Sequence, residues 1–379
     1  MSLLYVSDAY LLGITLWLLA GTVALWLLVW LRRKWKSHSG RRRWTHVAFS
    51  MWVVLAVLTG VELYYAFMYD TTDSFNMTNV SVKWLKMHAD RQKRPLHTDG
   101  RRGFLYRDDH DFPKSVGPQR HRICFFGDSF TFGHGIANIS DRFSNRVGEA
   151  FERRSPGKFS VTNLADPGRD LNWIHLQLQE LFKAGYAIDT VIYVVCLNDI
   201  ETFDPRHRTY YDNFRGRVGG PEFFLFRDTY FFNLMYFRLK QFTVPEVRNY
   251  YSFVKEYYEG PPWQRMRRKL DRVHELCRIN EADFRIVIFP FLHNLSSHYP
   301  FQEAHKLIAD YGRESNIPVL DLQSVLAAHA AEGLTVNRFD AHPNELAHQL
   351  AAEAIQKKLL SDLFKSAIVS KMNPSESKE

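Results

Sequence analysis

Four short stretches, far apart in the chain, carry the residue types best suited to acyl chemistry. Gly127-Asp128-Ser129 follows the apolar run 122–126. Asp166-Pro167-Gly168 follows a second apolar run, and Cys196-Leu197-Asn198-Asp199 closes a third. Phe339-Asp340-Ala341-His342-Pro343-Asn344 leads into a helical pattern near the carboxyl end. Acyl transfer needs a nucleophile, a base within hydrogen-bond reach, a group that orients the base, and donors for the developing oxyanion. Ser129 suits the first role, His342 the second and Asp340 the third. The backbone N–H groups of Ser129 and Gly168 and the side-chain amide of Asn198 suit the fourth. Taken singly, each stretch has an ordinary structural explanation. Gly-Asp-Ser, Asp-Pro-Gly and Asn-Asp form turns, and Asn344 is a good helix cap. Their placement at successive strand ends favours one shared site.

For such distant residues to meet, the elements between them must be ordered in a particular way. Residues 122–126, 159–165, 189–195, 284–289 and 317–322 are short apolar, largely β-branched or aromatic runs, and read as strands. Helical spacing covers 140–154, with Ser140 as the expected cap, and 171–184, stopped by Gly185. It returns over 264–280, 301–315 and 345–360. Strands that are apolar throughout and separated by helices predict a parallel sheet covered on both faces. Its ligands gather at the carboxyl ends of the strands. Residues 200–262 break the rhythm with many Phe and Tyr and with Pro221, Pro245, Pro261 and Pro262. They read as an insertion: a helical cap, a surface resting on a membrane, or extra core helices. Residues 70–120 are polar and irregular and read as a linker or surface layer. The tail 366–379 reads as disordered.

The four stretches resemble the blocks of the SGNH/GDSL hydrolase family, named for Ser, Gly, Asn and His, which fall here on Ser129, Gly168, Asn198 and His342. The resemblance covers residues 122–360, with the insertion outside it. It implies a flavodoxin-like three-layer α/β/α sandwich. It also implies a serine ester hydrolase working through an acyl-Ser129 intermediate, on O-acyl groups of glycans or lipids. Some relatives in this fold transfer acetyl groups to extracellular polysaccharides, often beside a membrane acyltransferase, so O-acyl transfer is the alternative. A degenerate glycan-binding or scaffold protein is a third. Two departures from the family pattern stand out. Cys196 occupies a position that is usually Gly, which is expected to narrow the site. Asp340 and His342 are two apart where three is usual, which leaves Asp321 as a fallback orienting carboxylate.

No HExxH, no CxxC pair and no acidic cluster with ligand spacing points to a metal, and Gly133 and Gly135 do not make a dinucleotide fingerprint, so no cofactor is expected. His134, His293 and His348 are expected to be surface, rim or packing residues. Three cysteines, Cys124, Cys196 and Cys277, exclude a disulfide framework and read as buried thiols. Sequons occur at Asn76, Asn79, Asn138 and Asn294.

Residues 11–31 carry no charge and residues 46–68 carry only Glu62; each is long enough to span a bilayer core of about 30 Å. Trp30, Trp44, Tyr64, Tyr65 and Tyr69 lie near the ends of these runs, as an interfacial aromatic belt does. A cleaved signal fits poorly, because no basic region precedes the first run and no A-x-A-like site follows it. Loop 32–43 holds Arg32, Arg33, Lys34, Lys36, Arg41, Arg42 and Arg43, while Asp8, Asp70 and Asp73 flank the outer ends. The positive-inside rule then places that loop in the cytoplasm and everything after residue 70 outside it. The expected organisation is a two-span membrane anchor (1–69), a linker (70–120), a catalytic domain (121–365) and the tail. The net charge of +8 arises largely from one loop, so nucleic acid is not an expected partner. The expected partners are the lipid bilayer and an ester or acylated glycan substrate, with a membrane acyltransferase as a further candidate.

Overall fold

The computed structural model describes residues 5–36, 38–92, 94–95, 105–106, 112–117, 120–295 and 298–365. The tail 366–379 and much of the stretch between 93 and 119 lie outside the described residues. The chain forms two units, Met1–Met87 with Gly216–Val244, and His88–Arg215 with Pro245–Glu379.

The first unit is built on α1 (Asp8–Lys34) and α2 (Ser39–Phe67). Ser7 caps α1 by accepting from the Tyr10 amide at 3.2 Å, and Arg32, Arg33 and Lys34 fall in its last turn, where the helix dipole favours cations. Both helices are long and apolar enough to cross a membrane. Their apolar side chains are mostly exposed, and several of their polar ones bond within the pair. Thr15, Thr22 and Thr59 donate to carbonyls four residues back. Trp17 Nε1 donates to Thr59 Oγ1 and Trp52 Nε1 to the Gly21 carbonyl, each at 2.9 Å. Such internal satisfaction is what a lipid solvent demands of polar groups.

After α2 the chain forms a further helix, α3 (Asn79–Gln92), where the sequence suggested irregular linker. Val80 and Trp84, one turn apart, are buried along one face of it. Ahead of it Asp73 accepts from the amides of Phe75, Met77 and Thr78 and from the Thr78 hydroxyl. Lys83 then reaches back from α3 to the carbonyls of Ala66 and Tyr69 and pairs with Asp70 at 2.6 Å, closing the carboxyl end of α2.

The second unit holds the sheet. Five strands, β1 (His121–Gly127), β2 (Phe159–Asn163), β3 (Thr190–Cys196), β4 (Asp283–Phe289) and β5 (Val319–Asp321), run parallel in the order β2-β1-β3-β4-β5. This is the flavodoxin order, whose switch point lies between β1 and β3. Every residue of β3 is buried, as a central strand covered on both faces must be. One helical layer pairs α4 (Phe143–Arg154) with α8 (Glu345–Ala354). The other pairs α5 (Leu171–Lys183) with α6 (Pro261–Ile279), and α7 (Gln302–Glu314) packs on β5. A hairpin of β6 (Thr335–Asn337) and β7 (Asp340–Pro343) precedes α8.

Local differences from the sequence reading have simple causes. Ser140 is not a cap: Asn138 caps a single 3-10 turn, Ile139–Asp141, and α4 starts afresh at Phe143 after extended Arg142. Pro261 opens α6 at its first position, where proline loses no hydrogen bond, so the helix starts earlier than its periodic residues do. The stretch 200–262, read as an insertion, is largely helical and is divided between the two units. Tyr250–Tyr258 buries Val254, Tyr257 and Tyr258 in the second unit, whereas Gly216–Val244 belongs to the first.

Candidate active site

β1 delivers Ser129 through a turn too tight for any side chain at Gly127. A Cβ there would stand 2.2 Å from Thr131 Oγ1 and 2.9 Å from the Val194 carbonyl oxygen. Glycine is thus required by close packing against the next strand and the next helical turn, whatever the dihedral angles. Asp128 caps the turn Ser129–Phe132 by accepting from the Phe130 amide at 2.9 Å, and Gly133, at φ 72°, ends it. Asn163, at the end of β2, donates to the Thr131 carbonyl at 2.6 Å and to Ser144 at 2.9 Å, pinning that turn from the side. Gly127→Ala is therefore expected to cost about 1–3 kcal/mol, a fall of several degrees in Tm, as overpacked core positions do. Thermal unfolding of the full chain checks it.

His342 and Asp340 come from β7. Side chains two apart on a strand point to the same face. That is why a spacing of two works here: Asp340 Oδ1 lies 2.5 Å from His342 Nδ1 and accepts from the His342 amide at 3.1 Å. On the other side of the ring, His342 Nε2 lies 2.8 Å from Ser129 Oγ. A carboxylate can only accept, so Nδ1 carries the proton toward Asp340 and Nε2 is left to accept from the Ser129 hydroxyl. Phe130 packs beside the imidazole, with ring centroids 5.4 Å apart. Asp340 is fully buried. Burial pushes its carboxyl up, but the charge of His342 and the hydrogen bonds of His134 and His342 outweigh that and hold it well below the usual carboxylate range.

His134 is the residue that sequence reasoning undervalued. It is buried rather than at the surface or rim, its Nε2 lies 3.5 Å from Asp340 Oδ2, and its ring centroid is 4.4 Å from that of His342. Its amide donates to the Ser129 carbonyl at 2.9 Å, so it ties the serine turn to the acid. The other two histidines stay outside the relay. His348 accepts from the Phe143 amide and stacks on its ring in the core, and His293 packs on Tyr251. Asp321, the fallback carboxylate, is engaged elsewhere: it accepts from His305 Nδ1 and the Gln323 amide, each at 2.8 Å.

Gly168 and Asn198 sit just beyond β2 and β3, the two strands that flank β1. Gly168 holds φ at 72°, which favours glycine, and the Arg169–Asp166 pair at 2.9 Å braces its loop. Among the described residues, the amides of Ser129 and Gly168 and the side-chain amide of Asn198 make no hydrogen bond. Three donors at the ends of adjacent strands are thus uncommitted. Cys196 does not narrow this rim. It is fully buried, its thiol bonds the Asp128 carboxyl from beneath the serine turn, and burial with the charges of Asp128 and Asp199 pushes it well up.

Below the rim lies an acidic cluster that the sequence did not reveal. Burial raises Asp128 to about 6, and burial with the Asp128 charge raises Asp199, whose Oδ2 accepts from Tyr193 at 2.6 Å. Burial lifts Glu201 to about 7. A raised acid binds more protons folded than unfolded between its two pKa values. The cost of Glu201 is thus absent below about 4.5, grows as pH rises to about 7, and is constant above. Glu201→Gln should therefore raise Tm at pH 8 and leave it nearly unchanged at pH 4; melting curves across that range check it. His134, Asp340 and His342 also bring three ligand-type atoms within 4.8 Å of one another, the one such group among the described residues. A metal there would break the His342–Asp340 hydrogen bond, so the arrangement suits a proton relay better than a cation.

Comparison with known proteins bears on the family of the chain. The sequence matches the GDSL-like Lipase/Acylhydrolase family over residues 125–350, more than half of the 379 residues. No match is found among curated proteins. Solved structures similar to the chain include a member of the lipolytic protein G-D-S-L family from Veillonella parvula, 14% identical, TM-score 0.40, with 62% of this chain and 97% of that one covered. Another is a catalytic mutant of an acetylxylan esterase from Geobacillus stearothermophilus, 12% identical, TM-score 0.41, with 65% and 96% covered. A third is a psychrotrophic esterase from Pseudoalteromonas, 12% identical, TM-score 0.40, with 64% and 98% covered. On its match across well over half its length, the chain belongs to the GDSL-like lipase/acylhydrolase family and is an SGNH-type serine esterase.

Proposed function

We propose that the protein is a membrane-anchored ester hydrolase whose catalytic unit works outside the cytoplasm, through an acyl-Ser129 intermediate, on O-acyl groups of glycans or lipids. The observation that carries this reading is the unbroken chain Ser129 Oγ, His342 Nε2, His342 Nδ1, Asp340 Oδ1, with links of 2.8 and 2.5 Å. His342 takes the hydroxyl proton as Ser129 attacks the carbonyl carbon, and Asp340 holds the imidazolium that results. The Ser129 and Gly168 amides and Asn198 Nδ2 receive the oxyanion. The proton then passes to the departing alcohol, leaving Ser129 esterified. Water, deprotonated by the same histidine, releases the acid and restores the serine. A links-intact relay speaks against a degenerate binding protein. The anchor rests on the two long apolar helices and the basic loop between them.

If a sugar hydroxyl replaced water in the second half, the same site would transfer the acyl group. Full-length protein in detergent, given an activated acetyl ester with and without an acylatable oligosaccharide, decides between them. Hydrolysis predicts free acetate and no acetylated sugar in both cases. Acetylated sugar formed at the expense of acetate would make the protein a transferase.

A further inference from the structure

The exposed apolar residues of Gly216–Val244 have no role in the site. This segment forms a short helix, Phe224–Arg227, and the longer helix Phe231–Thr243. The longer helix is apolar on two faces. Leu234 and Phe237 are buried, while Met235, Leu239 and Phe242 are 41%, 64% and 71% exposed. The exposed three recur at i, i+4 and i+7 and form one stripe. Phe223 and Phe224, 55% and 61% exposed, add to the apolar surface of the same segment.

What covers these residues is indicated by where the helix begins. Glu62, the one acid in the second apolar run, accepts the amides of Tyr230 and Phe231 at 2.7 and 2.8 Å and the Tyr10 hydroxyl at 3.0 Å. Glu62 thereby satisfies the first free N–H groups of the helix. It lies five residues inside the end of α2, about 7 Å along the axis at 1.5 Å per residue. The start of the inserted helix is therefore fixed at the depth of the aromatic belt. Tyr230 packs on Tyr10 with centroids 5.0 Å apart, and Phe231 on Tyr65 at 5.5 Å. The segment carries Arg217, Arg227, Arg238 and Lys240 against Glu222 and Asp228. Arg238 is buried, so the exposed charge comes from the others; exposed aromatic and apolar residues in a segment of net basic charge are the composition of an interfacial helix.

We propose that Gly216–Val244 is a second membrane-contacting element, whose Phe223, Phe224, Met235, Leu239 and Phe242 side chains rest in the interfacial layer of the bilayer that α1 and α2 span. This rests on the two-span reading of α1 and α2 and extends it to a segment far away in the chain. The segment would then hold the chain to the lipid surface at a third place.

The test uses the full chain in phosphatidylcholine vesicles containing nitroxide-labelled lipid, with an environment-sensitive fluorophore at Leu239→Cys or Phe242→Cys. The native cysteines are buried. Leu19→Cys on α1 serves as a lipid-exposed reference and Arg153→Cys, a 70% exposed side chain, as an aqueous one. Loss of most of the fluorescence at 239 and 242, as at 19, is the expected result. Quenching at 19 with 239 and 242 as bright as 153 overturns the proposal while leaving the two spans standing. No quenching at 19 overturns the two-span reading and this proposal with it. A blue shift at 239 and 242 that grows with protein density and is insensitive to the nitroxide would assign the face to a second copy of the chain, which also overturns it.

Discussion

Ser129→Ala should reduce turnover of an activated acyl ester by about 10⁵–10⁶-fold while leaving the fold intact. The side chain is small and only partly buried, so its removal leaves no sizeable cavity. What it does remove is the hydroxyl placed 2.8 Å from His342 Nε2, and with it the covalent path. His342→Ala should cost nearly as much, because the hydroxyl without a base is a poor nucleophile. The two act as one unit, so the double variant should be no slower than either single one within about tenfold. Initial rates with a p-nitrophenyl ester, on detergent-solubilised full chain with matched melting curves, measure all three. A Ser129→Ala variant retaining a tenth of wild-type activity would remove Ser129 from the mechanism.

Asp340→Asn should cost about 10⁴-fold in kcat with little change in KM. The asparagine keeps the shape but offers Nδ1 a donor in place of an acceptor, or holds the imidazole in the tautomer that cannot take the serine proton. The electrostatics add a pH signature. Asp340 is depressed below the ordinary carboxylate range, since His342 and His134 outweigh its burial. A depressed acid stabilises the fold above its unfolded pKa near 4, and that contribution fades as pH falls toward the lower folded value. The stability gap between wild type and Asp340→Asn should thus be full at neutral pH and shrink below about pH 4. A gap that instead grows on acidification would mean that the carboxyl is held protonated, which would contradict its role as hydrogen-bond acceptor for His342.

The sheet and the rim were legible in the sequence for one physical reason. Strands buried on both faces must be apolar throughout, so β1, β3 and β4 stand out, and the polar residues that interrupt them mark where the backbone leaves the core. Ser129, Gly168 and Asn198 lie at or just beyond such interruptions, whereas His342 comes from the separate hairpin that precedes α8. Partners that act across space left no comparable mark. His134 lies in a glycine-rich turn after the serine, and nothing in its neighbours reveals that it faces Asp340. The pairing of Asp340 with His342 looked insecure because it was measured against a longer spacing. It becomes straightforward once β7 is seen to be extended. Cys196 was read by size, as an obstruction, yet it is fully buried and its thiol bonds the Asp128 carboxyl. Helix α3 was missed because its buried apolar pair, Val80 and Trp84, is short and interleaved with polar residues, and because Asp73 and Lys83 act on it across the chain. Glu62 was visible only as an anomaly in an apolar run; its bonds to Tyr230 and Phe231, 168 and 169 residues away, explain why it is tolerated there.

The most direct test of the whole account is covalent. Full-length protein is treated with a fluorophosphonate and digested, and the peptide spanning residues 123–135 is analysed by mass spectrometry. The expected result is one phosphonyl adduct, on Ser129, formed rapidly in the wild type, slowly in Asp340→Asn and not at all in Ser129→Ala. An unmodified Ser129 in folded protein, or an adduct carried by another residue and still formed in Ser129→Ala, would contradict it.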